Sequence, residues 1–207
     1  MTTYMLYFAL IILTVLVIVF LIYKTRAHTK KQNAVNQRFL DAEDAANAVR
    51  KKDIEPELFY TASLMAFPPL PESDPHHVVR CARRTMIRFP RPMTNLELKQ
   101  QYGPAQMENI VMYEDNFHSY LKAITAWAGD LVEVEDFAGA KLILDEAIAL
   151  GSEFRNTYKL AADIYVRNRD EVGLQNLRFK VADNHFKDPA IRQHVVEYID
   201  SKLASEW

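Results

Sequence analysis

FHSYLKAITAWAGDLVEVEDFAGAKLILDEAIALG, Phe117 to Gly151, is the stretch on which the fold turns. Phe117, Leu121, Ile124, Ala128 and Leu131 recur at helical spacing as one apolar face, and Phe137, Ala140, Leu144, Ala147 and Ile148 form a second. Val134 to Asp136 reads as the turn between them, and Gly151 stands where a C′ glycine closes a helix. Two such helices with a short connection lie antiparallel.

Toward the C terminus the pattern continues. Phe154, Tyr158, Ala161, Ala162 and Tyr165 make a third face, and Val172, Leu177 and Val181 a weaker fourth. Asp188-Pro189, a cap followed by a first-turn proline, opens a last helix carrying Ile191, Val195, Val196 and Ile199. No segment alternates at period two, so strands are not expected and the fold class is all-α.

Comparison of these helices exposes a shift of 34 residues. Ile124, Trp127, Ala128 and Leu131 recur as Tyr158, Ala161, Ala162 and Tyr165, and again as Arg192, Val195, Val196 and Ile199. With Ala140, Leu144 and Ala147 on the partner helix, this alternation of small and large packing residues resembles a tetratricopeptide repeat. The resemblance spans about Phe117 to Ala204. It departs from the family at Arg178, among Leu174 and Val181, and at Ser152, where a closing proline is usual. An antiparallel helical bundle of another kind has similarly spaced faces. The resemblance implies a protein or peptide bound on a concave face. Its groove residues would come mainly from the first helix of each pair, with Trp127, Lys159 and Arg192 as candidates. Trp127, with Phe117 and Tyr120 nearby, also reads as core.

Upstream, residues 53–104 hold eight of the nine prolines, including FPPLPESDP at Phe67 to Pro75. Missing donors and fixed φ angles break this stretch into short pieces, so it reads as a hinge with two short helices, Pro56 to Ala66 and His76 to Phe89. Within it lies HHVVRCARRTMIRFPR, His76 to Arg91, with five arginines and no acid. On a helix Arg80, Arg84 and Arg88 align at i, i+4 and i+8, with Val79, Ala82, Met86 and Phe89 on another side. Arg80, Arg83, Arg84, Arg88 and Arg91 are therefore candidate contacts for anionic lipid or a phosphorylated partner. They could equally pair with the chain's own acids or stay solvated.

Other chemistry finds little support. His76, His77 and Cys81 lack a fourth metal ligand, and adjacent histidines converge poorly on one ion. Ala82-Arg83-Arg84-Thr85 is no phosphate-cradling loop after Cys81. Glu135 with Asp136, and Asp145 with Glu146, sit in a turn and on a solvated helix side. There is no P-loop, GxGxxG or G-x-S-x-G, and only five glycines from which to build one. No catalytic residue, cofactor or metal is expected. A single cysteine excludes an internal disulfide.

The N-terminal end supplies the second defining feature. YMLYFALIILTVLVIVFLIY, Tyr4 to Tyr23, is uncharged, and 14 of its residues are Leu, Ile, Val or Phe. As a helix rising about 1.5 Å per residue it covers the roughly 30 Å hydrocarbon layer. It lacks a positive n-region and a small-residue cleavage site, so it reads as an anchor rather than a cleaved signal. Lys24, Arg26, Lys30 and Lys31 follow at once, which puts the N terminus outside and the rest in the cytosol. A bacterial inner membrane is the first assignment; endoplasmic reticulum or mitochondrial outer membrane satisfies the same physics. No small-xxx-small pattern with glycine favours dimerisation of the span.

Between Lys24 and Lys52 stand eight Lys/Arg against three Asp/Glu, and between Ala105 and Trp207 eleven against eighteen. The far domain is acidic, which opposes a nucleic-acid grip. Val35, Phe39, Ala42, Ala46 and Val49 form a helical stripe suited to packing on the same chain or on a second copy. The chain thus divides into an anchor (1–23), a basic juxtamembrane helix (24–52), a Pro-rich segment with the arginine cluster (53–104) and a helical domain (105–207). The expected function is a membrane-anchored scaffold that holds a cytosolic protein partner. The alternative is a regulatory or catalytic subunit whose arginine segment binds phosphate or anionic lipid.

Overall fold

The computed structural model describes residues 2–183, 186 and 188–205; in the first helix, side chains are described from residue 13, with gaps at 15, 17, 19, 27, 28, 30 and 31. The described chain is all-α apart from one small strand pair, with 71 % of residues helical.

Helix α1, Thr2–Asn47, is unbroken. The anchor and the juxtamembrane helix anticipated as separate pieces are therefore one element, which ends before Lys51. Among its described side chains, those near the C-terminal end meet the rest of the protein: Ala42 is half-buried and Ala46 buried, as is in part Val49 just beyond the helix, whereas Val35 and Phe39 stay 56 % and 55 % exposed. The clamp is helix α3, Asn95–Tyr102, which opens with a capping box in which Thr94 and Glu97 satisfy each other's backbone amides. Lys99 Nζ reaches Glu43 Oε2 at 2.8 Å, and the Lys52 amide donates to the Tyr102 carbonyl at 2.9 Å. Ile54, Ile87, Leu98, Tyr102 and Ile110 form a small core beneath this junction.

The main body is a run of five helices: α4 (Met107–Glu133), α5 (Phe137–Ala149), α6 (Arg155–Arg167), α7 (Glu171–Asp183) and α8 (Pro189–Ser205). Each packs on the next, and α6 also packs on α8. Their apolar faces merge into one core in which Leu121, Ile124, Ile143, Leu144, Tyr158, Ala162, Leu174 and Ile199 are sealed from solvent. Each large aliphatic side chain buried there contributes about 1.5–3 kcal/mol. Val172, expected on the fourth face, is instead exposed, and Leu174 takes its place.

The three turns from α4 to α7 share one chemistry. Glu135, Gly151 and Arg169 have positive φ, and the next amide reaches back over the helix end, Asp136 to the Leu131 carbonyl, Ser152 to Ala147 and Asp170 to Tyr165. Asp136 then caps α5 by accepting from the Gly139 amide at 2.9 Å, and Asp170 caps α7 by accepting from Gly173 at 2.7 Å. Both caps, and both glycines, are spaced by the same 34 residues as the packing pattern.

The Pro-rich segment departs most from expectation, because it is docked rather than a hinge. Tyr60, Leu64, Phe67, Leu70, Val78, Cys81 and Met86 all pack into the main core. Pro56–Leu58 is a single 3-10 turn instead of a helix to Ala66, and the expected helix His76 to Phe89 shrinks to α2, Val78–Ala82. Against the expectation of no strands, β1 (Phe59–Tyr60) pairs antiparallel with β2 (Met86–Ile87), Phe59 opposite Ile87 and Tyr60 opposite Met86. The physical reason is tertiary: Met86 and Ile87 are almost wholly buried, and a strand pair lets both reach apolar surroundings while their backbone stays hydrogen-bonded.

Candidate interaction site

The three candidate groove residues do not form a groove. Trp127 is 1 % exposed; Phe67 of the docked segment lies edge-on against its indole at 5.9 Å, and its Nε1 meets no acceptor among the described residues. It is core. Lys159 Nζ sits over the Tyr198 ring at 4.6 Å, which turns it toward α8, and Arg192 is exposed on α8 itself. Tyr198 also donates to Asp163 Oδ1 at 2.6 Å, and burial first, then this carboxylate, pushes its phenol up to about 12. Arg178, the departure from the repeat pattern, forks onto both carboxylate oxygens of Asp200 on α8.

The arginine segment is rearranged just as far. Because α2 ends at Ala82, Arg80, Arg84 and Arg88 do not share a helical stripe: Arg80 is on α2, Arg84 follows it, and Arg88 comes after β2. All five arginines are exposed, but their partners differ. Arg91 Nη2 pairs with Glu97 Oε1 at 2.8 Å. The Arg88 amide donates to the Leu58 carbonyl at 2.8 Å, and its Nη2 donates to the Ala149 carbonyl at 3.2 Å, at the negative end of α5. Arg84 Nη1 donates to the neutral Asn116 Oδ1 at 3.3 Å, and Asn116 in turn donates to the Thr85 carbonyl. Arg80 and Arg83 form no ion pair with any described residue.

Two acids that hold this segment are already engaged. Asp74, itself at positive φ, takes the Val78 amide at 2.7 Å and the Val79 amide at 3.1 Å, while Asp130 Oδ2 lies 2.8 Å from His76 Nε2. The base of the cluster is fixed, since Val78 and Cys81 of α2 are buried. A cleft of about 120 Å³ lies beside this region, its lining including Arg88, Arg91, Glu114, His118 and Glu153. Opposite charges in equal number give it no preference for an anion.

Other polar residues serve the fold. Asp145 and Glu146, expected on a solvated side, are half-buried: Asp145 accepts from Lys141 at 2.6 Å and Tyr165 at 3.3 Å, and Glu146 from Tyr60 at 3.3 Å. Burial, reinforced by these carboxylates, raises both phenols above their usual range. Glu135 is a left-handed turn residue and Asp136 a helix cap. One feature escaped sequence reading altogether: Thr125, Ser152 and Thr157 form a buried hydroxyl chain, each link 2.9 Å, where α4, α6 and the loop before α6 meet. Its signal was polar residues interrupting apolar faces, with serine standing where the repeat has proline. Among the described residues no group of three or more His, Cys, Asp or Glu is placed to hold a metal ion.

No protein-family model matches the chain, and no match is found among curated proteins or among solved structures.

Proposed function

We propose that the chain is a single-span membrane protein whose helical domain, built like tetratricopeptide repeats, holds a protein partner at the cytosolic membrane face. The observation carrying this reading is α1: one rod that contains the uncharged run Tyr4 to Tyr23 and is clamped at its far end to the domain. Of the twenty residues in that run, only eight have described side chains, and among the described residues no helix is long and apolar enough to cross a membrane. The sequence supplies the energetic case: fourteen Leu, Ile, Val or Phe residues favour insertion by about 4–8 kcal/mol in total. The described members agree with it, since Leu13, Leu16, Ile18, Phe20, Leu21 and Ile22 are all exposed, Phe20 by 64 %.

The repeat-like reading is supported by the 34-residue spacing of the caps Asp136 and Asp170 as well as of the packing positions. Anchoring then raises the effective concentration of a bound partner near the surface. Removal of residues 1–23 tests it. The shortened chain should appear in the soluble fraction and carry with it the proteins that co-purify with the full chain in mild detergent. A shortened chain that stays with membranes, or that loses every companion while still helical, would contradict the proposal.

A further inference from the structure

Of the five arginines between His76 and Arg91, two have evident structural work: Arg91 pairs with Glu97, and Arg88 caps the end of α5. Arg80 and Arg83 do not, and Arg84 has only a neutral partner, the Asn116 Oδ1 at 3.3 Å. They are exposed within a five-residue stretch, on a base held by buried Val78, Cys81 and Met86, and no described carboxylate pairs with them. Asp74 and Asp130, the acids bound into the same region, are occupied by amides and by His76. Three arginine forks within five residues, none paired with a described carboxylate, supply the chemistry that takes up an anionic partner from outside.

Two kinds of anionic partner compete, a lipid surface and an acidic protein segment, and α1 decides between them. Residues 24 to 41 follow the apolar run as helix, about 27 Å at 1.5 Å per residue, and an average tilt shortens this little. Every described side chain from residue 32 to 41 is exposed, so the domain does not pack on this part of the rod. Lipid charge is screened within about 8 Å at physiological salt. We infer that Arg80, Arg83 and Arg84 dock an acidic segment of the partner protein. The choice of protein over lipid rests on the anchored reading above; the unpaired charge does not.

The full chain in phosphatidylcholine nanodiscs, titrated with fluorescein-labelled octaglutamate at about 150 mM salt, tests this by anisotropy. Arg83→Gln should weaken binding roughly threefold or more, and the triple variant R80Q/R83Q/R84Q at least about tenfold. Arg91→Gln, which removes the same charge from a paired arginine, should stay within about twofold. Unchanged circular dichroism checks that the fold persists, and the charge-keeping variant R80K/R83K/R84K should bind more tightly than R80Q/R83Q/R84Q. The inference is overturned if wild type does not bind the peptide, if Arg83→Gln and Arg91→Gln weaken it equally, or if the chain ignores the peptide and captures phosphatidylserine vesicles. A chain that fails to enter nanodiscs yet keeps the residue pattern would sink the anchor alone; an anchored chain without the pattern would sink the docking site alone.

Discussion

Gly103 and Gly129 show how far single positions differ in what they tolerate. Gly103 has φ +79° and ψ 154°, a region essentially closed to other residues, and a Cβ there would lie 2.7 Å from the Arg50 carbonyl oxygen. Gly103→Ala should therefore lower stability by about 2–4 kcal/mol, strain and displacement together, read by denaturant unfolding in detergent. Gly129, inside α4, would place a Cβ no closer than 4.0 Å to Leu160 Cδ1. Gly129→Ala should raise stability by up to about 1 kcal/mol, the difference in helix propensity. Neither behaviour is legible in sequence, because Gly103 owes its constraint to a backbone more than fifty residues upstream. Trp127 was readable two ways from its neighbours, and only the docking of Phe67 decides for core.

Helices were the legible elements, since their signal is local. The faces at Phe117 to Leu131 and Phe137 to Ile148, the Asp136 turn, the Gly151 stop and the Asp188-Pro189 start all stand where residue spacing places them. The segment His76 to Phe89 misled because its helical period is genuine but weaker than a competing demand: Met86 and Ile87 pair with Phe59 and Tyr60, a partner no local pattern reveals. The caps offer a direct test at this scale. Asp136→Ala and Asp170→Ala should each cost about 1 kcal/mol, with Asn recovering most of it. Helix α3 should also respond to acid. The Arg91 guanidinium first, then the Thr94 amide and hydroxyl, hold the Glu97 carboxyl down to about 2. A carboxyl depressed in the folded state contributes stability above its unfolded value, near 4.3, and loses it as pH falls through the folded one. Amide-exchange protection in α3 should thus decline between about pH 4.5 and 2, and Glu97→Gln should remove that step.

For the molecule as a whole, the docked Pro-rich segment extends the helical core: Phe67, Leu70, Val78 and Met86 pack into it, with α2 and β2 lying against α4. Composition suggested a hinge, because prolines break local structure; it could not show that the broken pieces pack. Phe67→Ala, at a half-buried site, should cost about 2–3 kcal/mol and shift Trp127 emission to the red, measured with Trp207 replaced by Phe. Emission that stays put would mean the indole is sealed without Phe67.

The array, its cap and the clamp on α1 matter for function only if the rod they hang from enters a bilayer. Alkaline carbonate washing of membranes carrying the full chain, followed by protease added outside sealed cells, tests that most directly. The chain should remain in the pellet with its C-terminal half intact. Release of the intact polypeptide into the wash, or digestion of that half from outside, would contradict the account.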